Sequence, residues 1–289
     1  MSAKGKDSGA SVKYPDMFRV KPGTQVKLRQ IDADSTGDRE DRASAEEELA
    51  ELTRRLTELQ LLMFAECKWS LLIVLQAMDG GGKDGTVSHV ISSMNPQGVT
   101  VQQFKVPSAE EMAHDYLWRA HKVTPAKGRV VVFNRSHYED VLVVRVHGLV
   151  PKEVWSERYD QINDWEEHLA ENGTLVMKFY LHIDKKEQLA RFKDRLDDPT
   201  KHWKVSAGDY AERALWDQYQ EAYEDAISKC STECAPWFVI PANRKWFRNL
   251  AISRILVETL ASLNMQFPAP SVDIREIRRL YEAAAKESS

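Results

Sequence analysis

No apolar run in this chain of 289 residues approaches the ~18–20 needed to cross a bilayer as a helix. The N-terminus is polar and lacks the apolar core of a signal peptide. Cysteine is scarce: Cys67, Cys230 and Cys234 cannot make a disulfide framework, and the last two fit neither a zinc ribbon nor a redox pair. There is no surplus of positive charge either, since 40 Lys and Arg against 44 Asp and Glu leave a net charge of −4. A polyanion could therefore be met only by a local patch. Aromatic residues do not interleave with a basic stripe and no nucleic-acid module signature occurs, so nucleic acid is not an expected partner. No internal repeat is visible. These absences predict a cytoplasmic protein with reduced thiols that does not enter a membrane.

The remaining composition, 43% hydrophobic and 29% charged, suits a globular chain with a sizeable core. Residues 1–12, rich in Ser, Lys and Gly, read as disordered, and Tyr14 to about Asp41 reads as an extended arm on the body or on a neighbouring subunit. Ser44 with Glu47 forms a capping-box pattern opening a helix. Its Leu49, Leu52, Leu56, Leu59 and Met63 make a narrow stripe for helix packing, within the domain or across a dimer. Strands are then expected at Leu71–Leu75, Val99–Phe104, Arg129–Phe133, Thr174–Ile183 and Trp237–Ile240. Helical patterns separate them: Lys83 to Met94, Ser108 to about Lys122, Pro151 to Asn172-Gly173, one after Ile183, and one to about Leu263. Strands alternating with helices predict an α/β fold with a parallel sheet covered on both faces.

Three stretches carry chemistry. Leu71–Thr86 runs from an apolar strand through Gly80, Gly81, Gly82 and Lys83 into a helix. Glycines let backbone N–H groups turn toward an anion, and the helix N-terminus and the lysine add positive charge. The usual pattern, G-x-x-x-x-G-K-[ST], is altered: Ala77 stands at the first glycine and Asp84 at the Ser/Thr that would bind magnesium. Asp79 is therefore the candidate metal ligand. Val130–Val132 run into Phe133-Asn134-Arg135-Ser136-His137-Tyr138-Glu139-Asp140, a polar cluster at a strand's carboxyl end, where ligands of an open parallel sheet gather. There Arg135 could clamp phosphate bidentately, while Asn134 stands where a metal-binding Asp is usual. Third, Arg191 and Arg195 share one helix face before Pro199, ahead of a basic, aromatic segment with Lys201, Trp203 and Lys204 that could close as a lid.

Together these motifs resemble the family-2 polyphosphate kinases, which move phosphoryl groups between inorganic polyphosphate and nucleotides. The resemblance covers about residues 15 to 265 and rests on Ala77–Thr86, on Phe133–Leu142 and on Lys201–Lys204 within Asp198-Pro-Thr-Lys-His-Trp-Lys. Phe104–Ser108 and Ala235-Pro236-Trp237 also take part. It implies a P-loop kinase fold of the thymidylate-kinase kind: a three-layer sandwich with a five-stranded parallel sheet of order 2-3-1-4-5 and a helical lid. In domain terms it implies a flexible N-terminal arm at 1–40, a kinase domain at 41–265 with the lid at about 195–215, and a helical tail at 266–289.

The resemblance also implies roles. Asp79 would help hold Mg2+, or Mn2+ in its place, and Lys83 would bind phosphate with Gly80, Gly81, Gly82, Gly85 and Thr86. Arg135 and Arg195 would stabilise the transferring phosphoryl. Lys201 and Lys204 would line the lid side of the polyphosphate path, with Trp203 and Lys105 as further phosphate- or nucleotide-binding residues. On charge grounds alone Lys105, Arg119 and Lys122 are also candidates for that path. Asn134 would border the nucleotide and phosphates, and Glu139 would influence acceptor choice, since the Asn-Arg-Ser-His-Tyr-Glu version resembles the class accepting both AMP and ADP. No histidine need be a phosphorylated intermediate. The implied activity is Mg-dependent, in-line transfer from polyphosphate to AMP and ADP by a homo-oligomer, dimer or tetramer. Its competitors are an ATP-dependent nucleoside-monophosphate kinase on the same fold and a non-catalytic nucleotide-binding scaffold.

Overall fold

The computed structural model describes residues 13–37 and 42–287. Five strands, β1 (Ser70–Gln76), β2 (Val99–Gln103), β3 (Val130–Asn134), β4 (Thr174–His182) and β5 (Trp237–Pro241), form one sheet of order β2-β3-β1-β4-β5. Every pairing is parallel, so the expected topology holds. All seven residues of β1 are buried, as a strand flanked on both sides and covered on both faces requires. Helices cover the sheet: Arg42–Glu66 packs on Lys245–Ser262, and Trp216–Cys230 packs on Lys152–Glu171.

The register matters for function. Leu75 pairs with Asn134 across β1 and β3, so the chain leaves both strands at one sheet edge. The glycine loop and the cluster after Asn134 emerge side by side at the carboxyl ends, where an open parallel sheet collects ligands.

Several local expectations are corrected. The helix from Lys83 ends at His89 and tightens into a 3-10 turn at Ile91–Ser93. Ser88 and Ser92 each donate to the carbonyl four residues back, competition that weakens a helix interior. The capping box at Ser108 forms, but its helix stops at Met112 and a second begins at Trp118. Asp115 is the cause: its carboxylate accepts from the backbone N–H of Leu117 at 3.0 Å and of Trp118 at 3.1 Å, starting a new turn. The first long helix starts at Arg42, so Ser44 lies inside it rather than capping it.

The leucine stripe is satisfied within the chain. Leu56, Leu59 and Met63 are buried, and their helix lies on Lys245–Ser262. Residues 13–37 strap the body of their own chain, one of the two placements expected for the arm, with Tyr14 buried. Val20 N–H donates to the Trp237 carbonyl at 2.8 Å, Val26 N–H to Ser228 Oγ at 2.8 Å and Leu28 N–H to Glu224 Oε1 at 2.8 Å. A bridge from Arg19 to Phe238 covers edge strand β5, which would otherwise offer unpaired backbone groups. The expected disorder of residues 1–12 lies outside the described residues. The C-terminal helix spans Ile274–Glu287 and buries none of its residues.

Candidate active site

The loop between β1 and the Lys83–His89 helix is shaped by close approach. A Cβ on Gly81 would collide with Ala77 Cβ and lie 2.8 Å from the Met78 carbonyl, and Gly82 has φ +105°, a conformation L side chains rarely adopt. Ala77 is thus compatible with the loop because position 81 has no side chain. Lys83 Nζ donates to the Ala77 carbonyl at 2.9 Å, and the Tyr223 hydroxyl donates to the same oxygen at 3.2 Å. Lys83 keeps some exposed surface, but its ammonium end is enclosed. Desolvation first, then the like charge of Arg135, lowers its pKa to about 8. It is a cation held without full compensation, as a phosphate-binding group should be.

Arg135 follows β3 with φ +59°, a left-handed conformation that costs a non-glycine residue of order 1–3 kcal/mol. That turn aims its side chain at the loop: Nη2 meets Asp79 Oδ1 at 2.6 Å and Nη1 meets Glu139 Oε2 at 3.3 Å. Burial alone would lower its pKa, but the two carboxylates outweigh burial and raise it, so Arg135 stays charged. Glu139 also accepts from Gln76 Nε2 at 3.1 Å. Asp84 accepts from Asn134 Nδ2 at 2.9 Å and from Lys204 Nζ at 3.2 Å, joining loop, β3 and lid segment. Burial pushes its carboxyl up, yet Asn134 and Lys204 hold it below the usual range.

Two cavities meet here. A groove of about 1010 Å³ runs over the glycine loop, lined by ten cationic side chains (Lys83, Lys105, Arg135, Arg195, Lys201 and Lys204 among them) against four carboxylates. In a chain of net charge −4 this is the local patch a polyanion requires. Beside it lies a cavity of about 670 Å³ with mainly apolar walls, including Val143, Val144, Leu149, Trp216 and Tyr219. Asp79, Phe104, Lys105 and Arg135 line both.

The groove gathers most of the sequence-predicted residues: Asp79, Gly80, Gly81, Gly82, Lys83, Gly85, Lys105, Asn134, Arg135, Arg195, Lys201, Trp203 and Lys204. Arg195 reaches it from the lid segment while pairing with Asp209 at 3.0 Å, and Trp203 is 78% exposed on its rim. Glu139 lines the apolar cavity instead. Thr86 lines neither: it is buried, and its hydroxyl donates to the Gly82 carbonyl at 3.2 Å, one helical turn back. Arg119 does not line the groove: it lies buried against Asp140 in the wall of the apolar cavity. Lys122 pairs with Glu110 at 3.6 Å and lines neither cavity.

Sequence reasoning missed what holds the loop and the cluster in place. Gln188 donates to the Asp79 carbonyl at 2.8 Å and Arg191 to the Gly80 carbonyl at 2.9 Å, both from the helix Lys185–Asp197. Beneath 133–140, Glu166 accepts from the Tyr138 hydroxyl at 3.0 Å and bonds His137 Nε2 at 3.2 Å, with Lys178 against it. All four are fully buried. Burial keeps His137 toward its neutral form. Burial would raise the Glu166 carboxyl, but Lys178 and His137 hold it down. Removing one partner of such a buried pair costs roughly 3–5 kcal/mol. The only sequence signal for it was a lysine within the apolar strand β4.

The parallel sheet, the glycine loop at its carboxyl edge and two cavities of opposite character that meet at Asp79, Phe104, Lys105 and Arg135 define a kinase-type phosphotransferase of P-loop architecture. Comparison with known proteins makes this particular: the family model described as Polyphosphate kinase 2 matches residues 39–268, and the chain belongs to that family. The AMP/ADP-polyphosphate phosphotransferase of Meiothermus ruber is 53% identical over 261 residues, covering 90% of this chain and 98% of that one. The ADP-polyphosphate phosphotransferase of Rhodopseudomonas palustris is 43% identical over 263 residues, covering 87% and 91%. The crystal structure of polyphosphate kinase 2 from Arthrobacter aurescens TC1 superposes with a TM-score of 0.91 at 45% identity, covering 94% of this chain and 98% of that one.

Proposed function

We propose that this chain transfers the terminal phosphoryl of inorganic polyphosphate directly to AMP, giving ADP, and to ADP, giving ATP. The observation that carries the reading is the cationic groove opening onto the apolar cavity at Asp79 and Arg135. Polyphosphate carries about one negative charge per phosphate and suits the groove, while a nucleotide base suits the apolar walls. An oxygen of the acceptor's terminal phosphate attacks the terminal phosphorus of the chain. The bridging P–O bond breaks in line, and the donor leaves one phosphate shorter. Little covalent help is needed, and positioning and charge neutralisation carry the rate. Lys83 and the loop N–H groups hold the donor end, Arg135 spans donor and acceptor, and Arg195 approaches from the lid side. The names of the relatives support the same substrates.

Asp79 supplies the hard oxygen donor that Mg2+, or Mn2+ in its place, accepts. The described residues hold no group of three His, Cys, Asp or Glu suited to a metal. An ion here would be held by one carboxylate and by substrate oxygens, as Mg2+ commonly is in phosphoryl-transfer sites. When bound, it would neutralise charge on the donor phosphates. Asp79 must then exchange part of its contact with Arg135 for that ion.

We carry two further readings. Among the described residues no helix is long and apolar enough to cross a membrane and all three cysteines are free, which supports action in the cytoplasm. The exposed Ile274, Ile277, Leu280 and Tyr281 of the C-terminal helix support a homo-oligomer. Light scattering of the full chain would test the latter, and a strictly monomeric mass would refute it.

A donor comparison tests the function. AMP is supplied with either polyphosphate or ATP, and ADP and ATP are quantified. Turnover with polyphosphate is expected. Turnover with ATP alone would make the chain a nucleoside-monophosphate kinase, and none with either donor would favour a scaffold.

A further inference from the structure

Two buried arginines flank the glycine loop, and their pairing differs. Arg191 is fully engaged: Nε meets Glu187 Oε1 at 2.7 Å, Nη1 donates to the Gly80 carbonyl and Nη2 to the Asn243 carbonyl at 3.1 Å. It is a clamp on the loop's backbone. Arg248, on the helix Lys245–Ser262, is 2% exposed. Its Nε and Nη2 both donate to the amide oxygen of Asn249, at 3.1 and 2.7 Å. Nη1 has no hydrogen-bond partner among the described residues, and none of their carboxylates forms an ion pair with the group.

Its position is specific. A Cβ on Gly82 would collide with Arg248 Nη1, and one on Gly85 would lie 3.0 Å from Nη2. The guanidinium fills the space these two glycines leave, so the loop is glycine-rich partly to admit it. Arg248 and Asn249 both line the cationic groove, and neither lines the apolar cavity. Burial first, then the like charge of Arg191, lowers its pKa to about 10, so the ionised form is held at a cost in the absence of an anion. A buried charge is ordinarily paired, and the open donor at Nη1 has a groove, not a carboxylate, before it.

We propose that Arg248 is a donor-binding residue whose Nη1 takes an oxygen of a polyphosphate phosphate that the donor keeps, rather than of the phosphoryl being transferred. The proposal rests on the groove being the donor site. Arg135 borders both cavities and so serves donor and acceptor. Arg248 borders only the groove and so serves the donor alone. The glycine loop is then a two-sided device, with its N–H groups and Lys83 on the reacting end and a buried guanidinium on the retained chain.

The test uses full-length protein, wild type, Arg248→Met and Arg248→Lys, melted with and without long-chain polyphosphate and no nucleotide. Wild type is expected to melt higher with polyphosphate, since a ligand bound by the folded state alone stabilises it. Arg248→Met is expected to melt no lower than wild type without polyphosphate, because an uncompensated buried charge gives way to an apolar chain. It should lose most of the polyphosphate-induced rise. Its KM for polyphosphate should increase about tenfold or more, the worth of a hydrogen bond to a charged group, with the KM for AMP unchanged. Arg248→Lys, which keeps charge without the fork, should fall between. An Arg248→Met protein that melts well below wild type yet keeps the full rise would make Arg248 a structural pillar and overturn the proposal. If that variant does not fold, a wild-type polyphosphate KM in Arg248→Lys overturns it instead. No rise in wild type would defeat the donor-groove reading itself, a result distinct from failure at Arg248 alone.

Discussion

The groove over the glycine loop carries ten cationic side chains against four carboxylates, while the adjoining cavity carries three against four and is otherwise walled mainly by apolar and aromatic residues. They share Asp79, Phe104, Lys105 and Arg135, yet one is built for charge and the other for a flat apolar body. The contrast teaches how a protein of net charge −4 can handle a polyanion: the positive charge is concentrated along one path and ends at the point of reaction. It also separates residues by which cavity they line, and on the proposed function by which substrate they serve, a separation that can be attacked from either side.

The largest effect is expected at the point of reaction. Lys83→Ala should lower kcat by on the order of 10²–10³, as removing one preorganised charge donor does, in a protein whose melting temperature stays near that of wild type. Comparable kcat with ATP or ADP yields unchanged would break the assignment. Next comes pH. In the proposed reaction Lys83 binds phosphate as an ammonium, and its pKa is lowered from its ordinary value to about 8. Raising the pH through about 8 deprotonates it, so kcat/KM for polyphosphate, which reports the free enzyme, should be level below that pH and fall above it. Bound phosphate favours the charged form, so kcat should hold to higher pH. A kcat/KM flat to pH 10 would contradict the assignment.

The remaining effects sharpen the two-cavity division. Lys204→Ala should raise the KM for polyphosphate severalfold and weaken its salt dependence, leaving the KM for AMP unchanged, because Lys204 lines only the groove. Equal changes in both KM values would merge the two sites. The smallest effect is expected from Glu139→Asn, measured as the ratio of AMP to ADP turnover. Glu139 lines the apolar cavity, bonded to Gln76 and Arg135. The ratio should shift toward ADP by a few-fold while polyphosphate binding holds, and an unchanged ratio would remove Glu139 from acceptor choice.

The strands, their parallel arrangement and the loop were legible because they are written locally, in apolar runs ending in glycines with helical patterns between them, whereas the strand order followed only from the family resemblance. The cluster after β3 was legible for the same reason, since Asn134, Arg135 and Glu139 are close in sequence. What escaped was assembled across the chain. Arg248 lies more than 160 residues after the glycines that admit it, in a helix whose pattern signals only a core. The motif position of Thr86 suggests a phosphate ligand, while in the structure its hydroxyl and its backbone N–H both donate to the Gly82 carbonyl, a contact that local sequence does not announce. The leucine stripe predicted a packing face correctly without saying what covers it, and the helix Lys245–Ser262 does. Local pattern places the elements, and side-chain and tertiary contacts decide where helices end and which way a side chain is used.

The central claim is that donor and acceptor are bound together, in adjoining cavities, when the phosphoryl passes between them at Asp79 and Arg135. Initial rates with polyphosphate and AMP varied against each other test it most directly. Intersecting double-reciprocal lines are expected, the pattern of a ternary complex, with no phosphorylated protein recovered when polyphosphate is supplied alone. Parallel lines, together with a stable phosphoenzyme, would contradict it.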